Sequence, residues 1–290
     1  MEIISVNITK GGCGKTTTVQ MLGEILSKEY GKKVLCIDTD PQCNLTTVSS
    51  GIDLMECQEH NLYTLLKEES TLEECIVKSK YYDIIAGSLL LAYADTEFNQ
   101  LGREYLLKER IEKANYDVIL IDTPPSLGLL NIMSLTASTK IIIPTECSYL
   151  AMIGLDQLSN TIESVRKHSN KELEIAGIFL IKYSSRANIN NAVLNGLEKM
   201  SAKMNTKVFE SKIRETVKIK EAQSQQEPIL DWDASSKEQG VILDKLFRGK
   251  GFDRSAHVLD CACGIGTQSI GLAALGYHVT ASDISDGEIK

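Results

Sequence analysis

The sequence predicts an α/β protein, a doubly wound fold around a mostly parallel sheet, with a shorter βαβ fragment behind it. Short β-branched runs alternate with helical patterns along most of the chain, and strands of four to eight residues separated by helices imply parallel crossovers. Several runs, such as Val118-Ile119-Leu120-Ile121 and Ile141-Ile142-Ile143, are continuously apolar, as strands covered on both faces must be. Glycine-rich and carboxylate-bearing segments follow these runs, at the carboxyl ends of strands where sites in such folds lie.

The elements follow in order. A strand over 2–7 leads through a glycine-rich turn into a helix over 15–28, and a strand over 33–37 ends in carboxylates. Another strand is expected over 82–86. The strand over 118–121 leads to a helix over 127–137, the strand over 140–144 to a helix over 150–168, and the strand over 174–181 to a helix over 189–204. From 223 to 237 Gln, Ser, Glu and Pro228 dominate and the periodicity fades. A boundary is placed near 236, giving a first domain over 1–236 and a segment over 237–290.

Composition narrows the class. Of 290 residues, 43% are hydrophobic and 24% charged, with 5 Pro and 20 Gly, which excludes disordered and collagen-like chains. A net charge of −8 argues against a uniformly basic nucleic-acid coat and leaves room for a local basic face. The eight cysteines are scattered and form no CxxC pair, so they read as reduced thiols. No basic leader with an apolar core opens the chain, and no apolar run approaches the roughly 20 residues that cross a bilayer. These features predict a soluble, cytoplasmic protein.

After the first strand the chain reads Thr9-Lys10-Gly11-Gly12-Cys13-Gly14-Lys15-Thr16-Thr17. Gly14, Lys15 and Thr16 form the end of a P-loop, with Thr9 where the first glycine usually stands. Glycines let backbone N–H groups turn inward around phosphate oxygens, a lysine meets the β/γ-phosphates, and a threonine hydroxyl suits Mg²⁺. The bland alternative is a Gly-rich turn with solvated lysines. Two further strands end in Asp38-Thr39-Asp40-Pro41-Gln42 and Asp122-Thr123-Pro124-Pro125. Carboxylates there can hold Mg²⁺ through its water shell and orient an attacking water, whereas any one of them alone could simply form a turn.

Together KGGCGKTT, IDTDPQCN and IDTPPS resemble the deviant Walker A, A′ and B motifs of ParA/Soj-type partitioning ATPases, so the first domain is expected to have a deviant P-loop NTPase core. The likeness runs over about residues 1–236, through IIIPTECSYLAMIGLDQL, YSSRANI and IRETVKIKEAQSQQEPILDWD. It implies ATP and Mg²⁺ as cofactors and an ATP sandwich dimer in which Lys10 reaches the partner's phosphates. It further implies that Gly11 to Thr17 bind nucleotide, with Lys15 and Thr16 on the phosphates and metal. Asp122 would hold the metal's water shell, and Asp38 and Asp40 would manage metal and attacking water, Asp40 being favoured for the water. Cys13 stands where relatives often carry Val, which places a thiol beside the phosphates and predicts that alkylation there blocks ATP. Ser184 stands where relatives often carry Asp.

Between residues 165 and 220 twelve Lys and Arg face five acids. Such a stretch can bind DNA phosphates without reading sequence, or can be a solvated face. The resemblance favours nonspecific DNA binding, with Arg186, Lys218 and Lys220 at positions where relatives are basic. It implies a nucleoid-associated protein released by hydrolysis that a ParB-type centromere-binding partner stimulates. The rival within the superfamily is a MinD-like membrane-cycling regulator, whose C-terminal amphipathic helix nothing here resembles, so no membrane partner is expected.

The segment 237–290 resembles the start of a class I S-adenosylmethionine-dependent methyltransferase, an incomplete Rossmann-like βαβ fragment. A helix over 239–247 precedes a strand from 257, a turn from Asp260 through Gly264 and Gly266, a helix, a strand over 278–281 and Asp283. The resemblance implies a methionine cradle at Asp260 to Gly266 and a ribose contact at Asp283. A fusion, a frameshift product and a truncation remain open, and no methyl transfer is expected.

Overall fold

A computed structural model describes residues 1–53, 55, 57–182, 190–213, 217–232, 257–260 and 278–281. The chain divides into two compact units, Met1–Gln226 and Glu227–Lys290. The first closes just after a helix ends at Ser224, where Gln226 Nε2 donates to the carbonyl of Thr47 at 2.9 Å.

In the first unit β1 (Glu2–Val6) leads to α1 (Lys15–Lys28) and β2 (Val34–Asp38). Short elements follow: α2 (Asn44–Val48), α3 (Leu62–Leu66), α4 (Leu72–Cys75), β3 (Ile76–Lys78), β4 (Asp83–Ile85), α5 (Ala94–Glu97) and α6 (Leu106–Ile111). Then come β5 (Val118–Asp122), α7 (Leu129–Ala137), β6 (Lys140–Glu146), α8 (Tyr149–His168), β7 (Glu174–Ile181), α9 (Asn190–Lys203), β8 (Val208–Lys212) and α10 (Val217–Ser224). The sheet runs β3-β4-β2-β5-β1-β6-β7-β8, parallel except for the antiparallel edge pair β3/β4. In the second unit β9 (His257–Asp260) and β10 (His278–Ala281) pair in parallel; the helix expected over 239–247 lies outside the described residues.

The long periodic segments fold as their patterns predict, and the short ones needed local chemistry. The side chain of Asn61 accepts from the N–H groups of Tyr63 and Thr64 to start α3, and Thr71 with Glu74 forms a capping box for α4. Ser148 caps α8 through Ala151 N–H. The strand Ile76–Lys78 has three residues, too few for a period-2 pattern to register.

Alternation on β2 divides the core. Leu35 and Ile37 join Ile119 and Ile121 beneath α3, α6 and α7, while Val34 and Cys36 face α1 with Leu120, Val19 and Tyr82. A third cluster packs Ile141, Ile143, Ile178 and Leu180 against Leu155, Leu158 and Ile162 of α8. Each fully buried Leu or Ile contributes roughly 1.5–3 kcal/mol, so the central strands are the rigid part of the unit.

The register positions the site. Val6 pairs with Asp122 and Asp122 with Asp38, so β1, β5 and β2 end at one level. The helix that leaves β1 is seated closely: a Cβ on Gly23 would lie 2.9 Å from Tyr82 Cδ1 and 3.1 Å from Cys36 Sγ. Tyr82 is held by its hydroxyl, 2.9 Å from Ser49 Oγ, and cannot swing aside freely. Gly23→Ala is expected to destabilise the protein by about 1–3 kcal/mol through overpacking, read from the midpoint and slope of urea denaturation.

Candidate functional site

The loop between β1 and α1 turns on two glycines in the left-handed region, Gly12 (φ 72) and Gly14 (φ 66), conformations costly for other residues. Gly14 is the N-cap of α1 and supplies no side-chain cap, so the first amides of a 14-residue helix face the loop with their partial positive charge. Thr18 fixes the turn by donating both N–H and Oγ1 to the Gly14 carbonyl, at 2.9 and 2.6 Å.

Lys15 is buried at the loop's base. Burial lowers its pKa, opposed by the negative charges of Asp122 and Asp40. Thr16 Oγ1 donates to Asp122 Oδ2 at 2.6 Å, while Asp122 Oδ1 is buried and has no hydrogen-bond partner. Burial first, and then Asp38, pushes the Asp122 carboxyl well above its ordinary range, against the pull of Thr16 and Lys15. A buried orphan oxygen beside a threonine hydroxyl suits a hard cation. Among the described residues no group of three His, Cys, Asp or Glu could cage a metal. The Thr16 hydroxyl and the Asp122 carboxylate are hard oxygen donors that fit Mg²⁺, an ion that keeps waters and borrows phosphate oxygens.

The two carboxylates at the end of β2, Asp38 on the strand and Asp40 just beyond it, part company. Thr46 donates its N–H and Oγ1 to Asp38 Oδ2 at 2.9 and 2.7 Å, and Asp40 N–H reaches Asp38 Oδ1 at 3.2 Å. Burial raises the Asp38 pKa to about 6 against these hydrogen bonds. Asp40 instead lines the cavity, with Oδ1 accepting from Gln42 N–H at 3.0 Å. Asp40 thus faces the cavity, and Asp38 faces the turn that holds Asp40.

The cavity, about 540 Å³, is walled by the loop from Gly11 to Thr17 and by Asn44, Ile181, Lys182, Ile219, Lys220 and Gln223, among others. Gln223 Nε2 donates to Gln20 Oε1 at 3.0 Å and to Thr17 Oγ1 at 3.3 Å, tying α10 to α1. Gln223 falls in the stretch IRETVKIKEAQSQQEPILDWD and Lys182 among the twelve basic residues between 165 and 220, but neither stands out as a site residue, because no local pattern says which of these side chains meets the cavity. Lys220, expected on the DNA face, lies on the cavity wall, while Lys218 lies on the same helix and Arg186 falls outside the described residues. Asp260 closes β9; Gly264, Gly266 and Asp283 lie outside the described residues.

At the rim Lys10 is ion-paired with Glu146, whose other oxygen accepts from Lys182 at 2.9 Å. Burial would raise the Glu146 carboxyl, but the hydrogen bonds from Lys10 and Lys182 outweigh it and hold the group below its ordinary range.

Cys13 corrects an expectation. The residue lines the cavity but is only 1% exposed and belongs to the cluster of Ile8, Leu135 and Ile181, so its thiol is not freely accessible. Burial, and then the charge of Glu146, push its pKa up against the pull of Lys10, Lys15 and Lys182. The thiol is a core anchor and a poor nucleophile.

A protein-family model described as an AAA domain matches residues 1–175. The chain is 39% identical over 249 residues to the sporulation initiation inhibitor protein Soj of Bacillus subtilis, covering 84% of this chain and 96% of Soj. It is 34% identical over 243 residues to the chromosome partitioning protein ParA of Myxococcus xanthus, covering 81% and 83% of the two chains. The chain belongs to the ParA/Soj family of P-loop ATPases. Its fold is similar to that of cobyrinic acid a,c-diamide synthase from Mycobacterium smegmatis with bound ADP and magnesium, with a TM-score of 0.68, 31% identity, and 78% of this chain and 91% of that chain covered. The ParA/Soj-type P-loop fold is thereby established for the first unit.

Burial of the Cys13 thiol sets a labelling order in this ParA/Soj-type ATPase. Iodoacetamide at pH 8 is expected to leave Cys13 unmodified in the native protein and to label it after denaturation, read by peptide mass spectrometry. Rapid native labelling at Cys13 with loss of nucleotide binding would restore the exposed-thiol picture.

Proposed function

We propose that this chain is an ATP-dependent partitioning ATPase that pairs with a second copy around ATP, coats DNA without reading its sequence, and is released when a ParB-type partner stimulates hydrolysis. The single observation that carries the reading is the convergence of Lys15, Thr16 and Asp122 at the level where β1, β5 and β2 end. Its cofactors are ATP and Mg²⁺, the metal supplying charge for the developing negative charge on the phosphates. Lys15 binds the β/γ-phosphates. Thr16 and Asp122 hold the metal and its water shell, with Asp38 as the more distant acid of the set. Asp40, on the cavity wall, orients the attacking water, and Asp38 with Thr46 keeps Asp40 in place. Lys10, at the rim, crosses to the partner's phosphates.

Lys15→Ala is expected to abolish ATP binding, measured by fluorescent nucleotide titration, because it removes a buried cation at the loop's base. Lys10→Ala is expected to retain binding while losing ATP-dependent dimerisation in light scattering and about 10² or more of stimulated turnover. Equal nucleotide affinity for wild type and Lys15→Ala would sink the assignment.

The basic residues support the DNA reading in part. Lys203 is paired with Asp156 at 2.8 Å and Lys182 with Glu146, so the surface available to DNA is narrower than the sequence count. Lys218, with Arg186, is the remaining candidate contact, and Lys220 is shared with the cavity. Among the described residues no helix is long and apolar enough to cross a membrane. DNA binding is expected to require ATP and to weaken steeply with salt; Arg186→Ala and Lys218→Ala should weaken it alike for all sequences. Co-sedimentation with DNA and with anionic liposomes checks this, and ATP-dependent liposome binding without DNA binding would favour the membrane-cycling alternative.

The segment over 237–290 is proposed as a methyltransferase-like fragment of which no methyl transfer is expected, its Asp260, Gly264, Gly266 and Asp283 standing at the positions where the resemblance implies a donor cradle. Deleting it should leave ATPase and DNA binding intact. Titration calorimetry with S-adenosylmethionine is expected to give weak or no heat, and binding at about 1 μM or tighter, roughly −8 kcal/mol, would mark a working site.

A further inference from the structure

Phosphate binding by itself leaves one cluster at the cavity rim unexplained. Glu146 is the last residue of β6, and its pairing with Ile181 places it beside the end of β7. There its carboxylate bridges two lysines from separate segments, Lys10 of the phosphate loop and Lys182 just after β7. Lys182 holds φ at 49, a left-handed conformation that a lysine adopts rarely and that its surroundings must maintain. The side chains are 20% exposed for Glu146, 33% for Lys10 and 41% for Lys182, so the charges are partly shielded from water and felt more strongly than on an open surface.

An acid at the mouth of an anion site works against the ligand unless it has another task. A lysine neutralised by its own subunit must exchange that partner before it can serve an anion elsewhere. We propose that Glu146 is a positioning residue that holds Lys10 within its own subunit and so sets the threshold at which two ATP-bound chains pair. The proposal rests on the reading of Lys10 as the lysine that crosses to the partner's phosphates. In the single subunit the Glu146 carboxylate occupies the Lys10 ammonium in place of a phosphate. On pairing, Lys10 exchanges carboxylate for phosphate, and Lys182 remains on Glu146. The second lysine is what keeps the released acid from facing the phosphates as an uncompensated negative charge.

The test uses the full chain with MgATP, comparing wild type, Glu146→Gln and Lys10→Ala by analytical ultracentrifugation across protein concentration. Glu146→Gln keeps the shape and removes the charge. It is expected to lower the concentration for half-maximal dimerisation about threefold to fivefold, the range of a partly exposed ion pair, with a smaller advantage at 0.5 M salt, where screening weakens the wild-type pair. A gain in association is a readout that damage to the fold would not produce. Should the amide disturb folding, Glu146→Ala removes the same charge and is read the same way. Unchanged or weaker dimerisation of a folded, ATP-binding Glu146 variant, with Lys10→Ala monomeric, overturns the hold alone. Dimerisation of Lys10→Ala at the wild-type concentration overturns the reading of Lys10 beneath it.

Discussion

A carboxylate sealed from water organises this site. Asp122 ends a strand whose five residues are all buried, and one of its oxygens has no partner among protein groups. Leaving an ionised acid in such a place is expensive unless a cation or donors answer it. Thr16 answers one oxygen and the ammonium of Lys15 contributes charge. The debt is mutual, because burial disfavours charged Lys15 as it disfavours charged Asp122. Each group makes the other's charge tolerable, and one oxygen of Asp122 keeps its acceptor capacity unused by protein groups.

That balance requires the loop and helix to be held at a fixed height over the sheet. Three contacts do so with different physics. Gly12 and Gly14 supply the backbone conformations that turn amides inward, Gly23 lets α1 lie against Tyr82 and Cys36, and Cys13 sinks its thiol into the core. The loop is thus anchored by apolar packing on one side and presents polar backbone on the other. Such a loop is preorganised, so binding need not first order it.

The acids at the end of β2 show how two identical side chains take different tasks. Asp38 is enclosed and hydrogen-bonded by Thr46, with its pKa raised to about 6, and it serves the geometry of the turn. Asp40, two residues on, reaches the cavity. The basic stretch divides in a similar way: Lys182 and Lys220 are drawn to the cavity wall and Lys203 to Asp156, so a charge count along the chain overstates the basic charge presented on the open surface.

The sequence by itself determined the strands that are apolar throughout, the helices that follow them, and the loop from Gly11 to Thr17, because these depend on local periodicity and on residue types that few other conformations accept. The same holds for Asp38, Asp40 and Asp122 as strand-end acids. The tertiary structure decided the rest. The order β2-β5-β1-β6 puts Asp122 between the ends of β1 and β2, a neighbourhood that residues so far apart along the chain cannot announce. Short elements such as Ile76–Lys78 form through pairing with a neighbour, not through a pattern of their own. Glu146 and Gln223 acquire their partners, Lys10 and Gln20, only when distant strands and helices meet. The burial of Cys13, between two left-handed glycines and within a cluster drawn from β6, β7 and α7, follows from the meeting of those elements, and no rule of residue spacing contains that information.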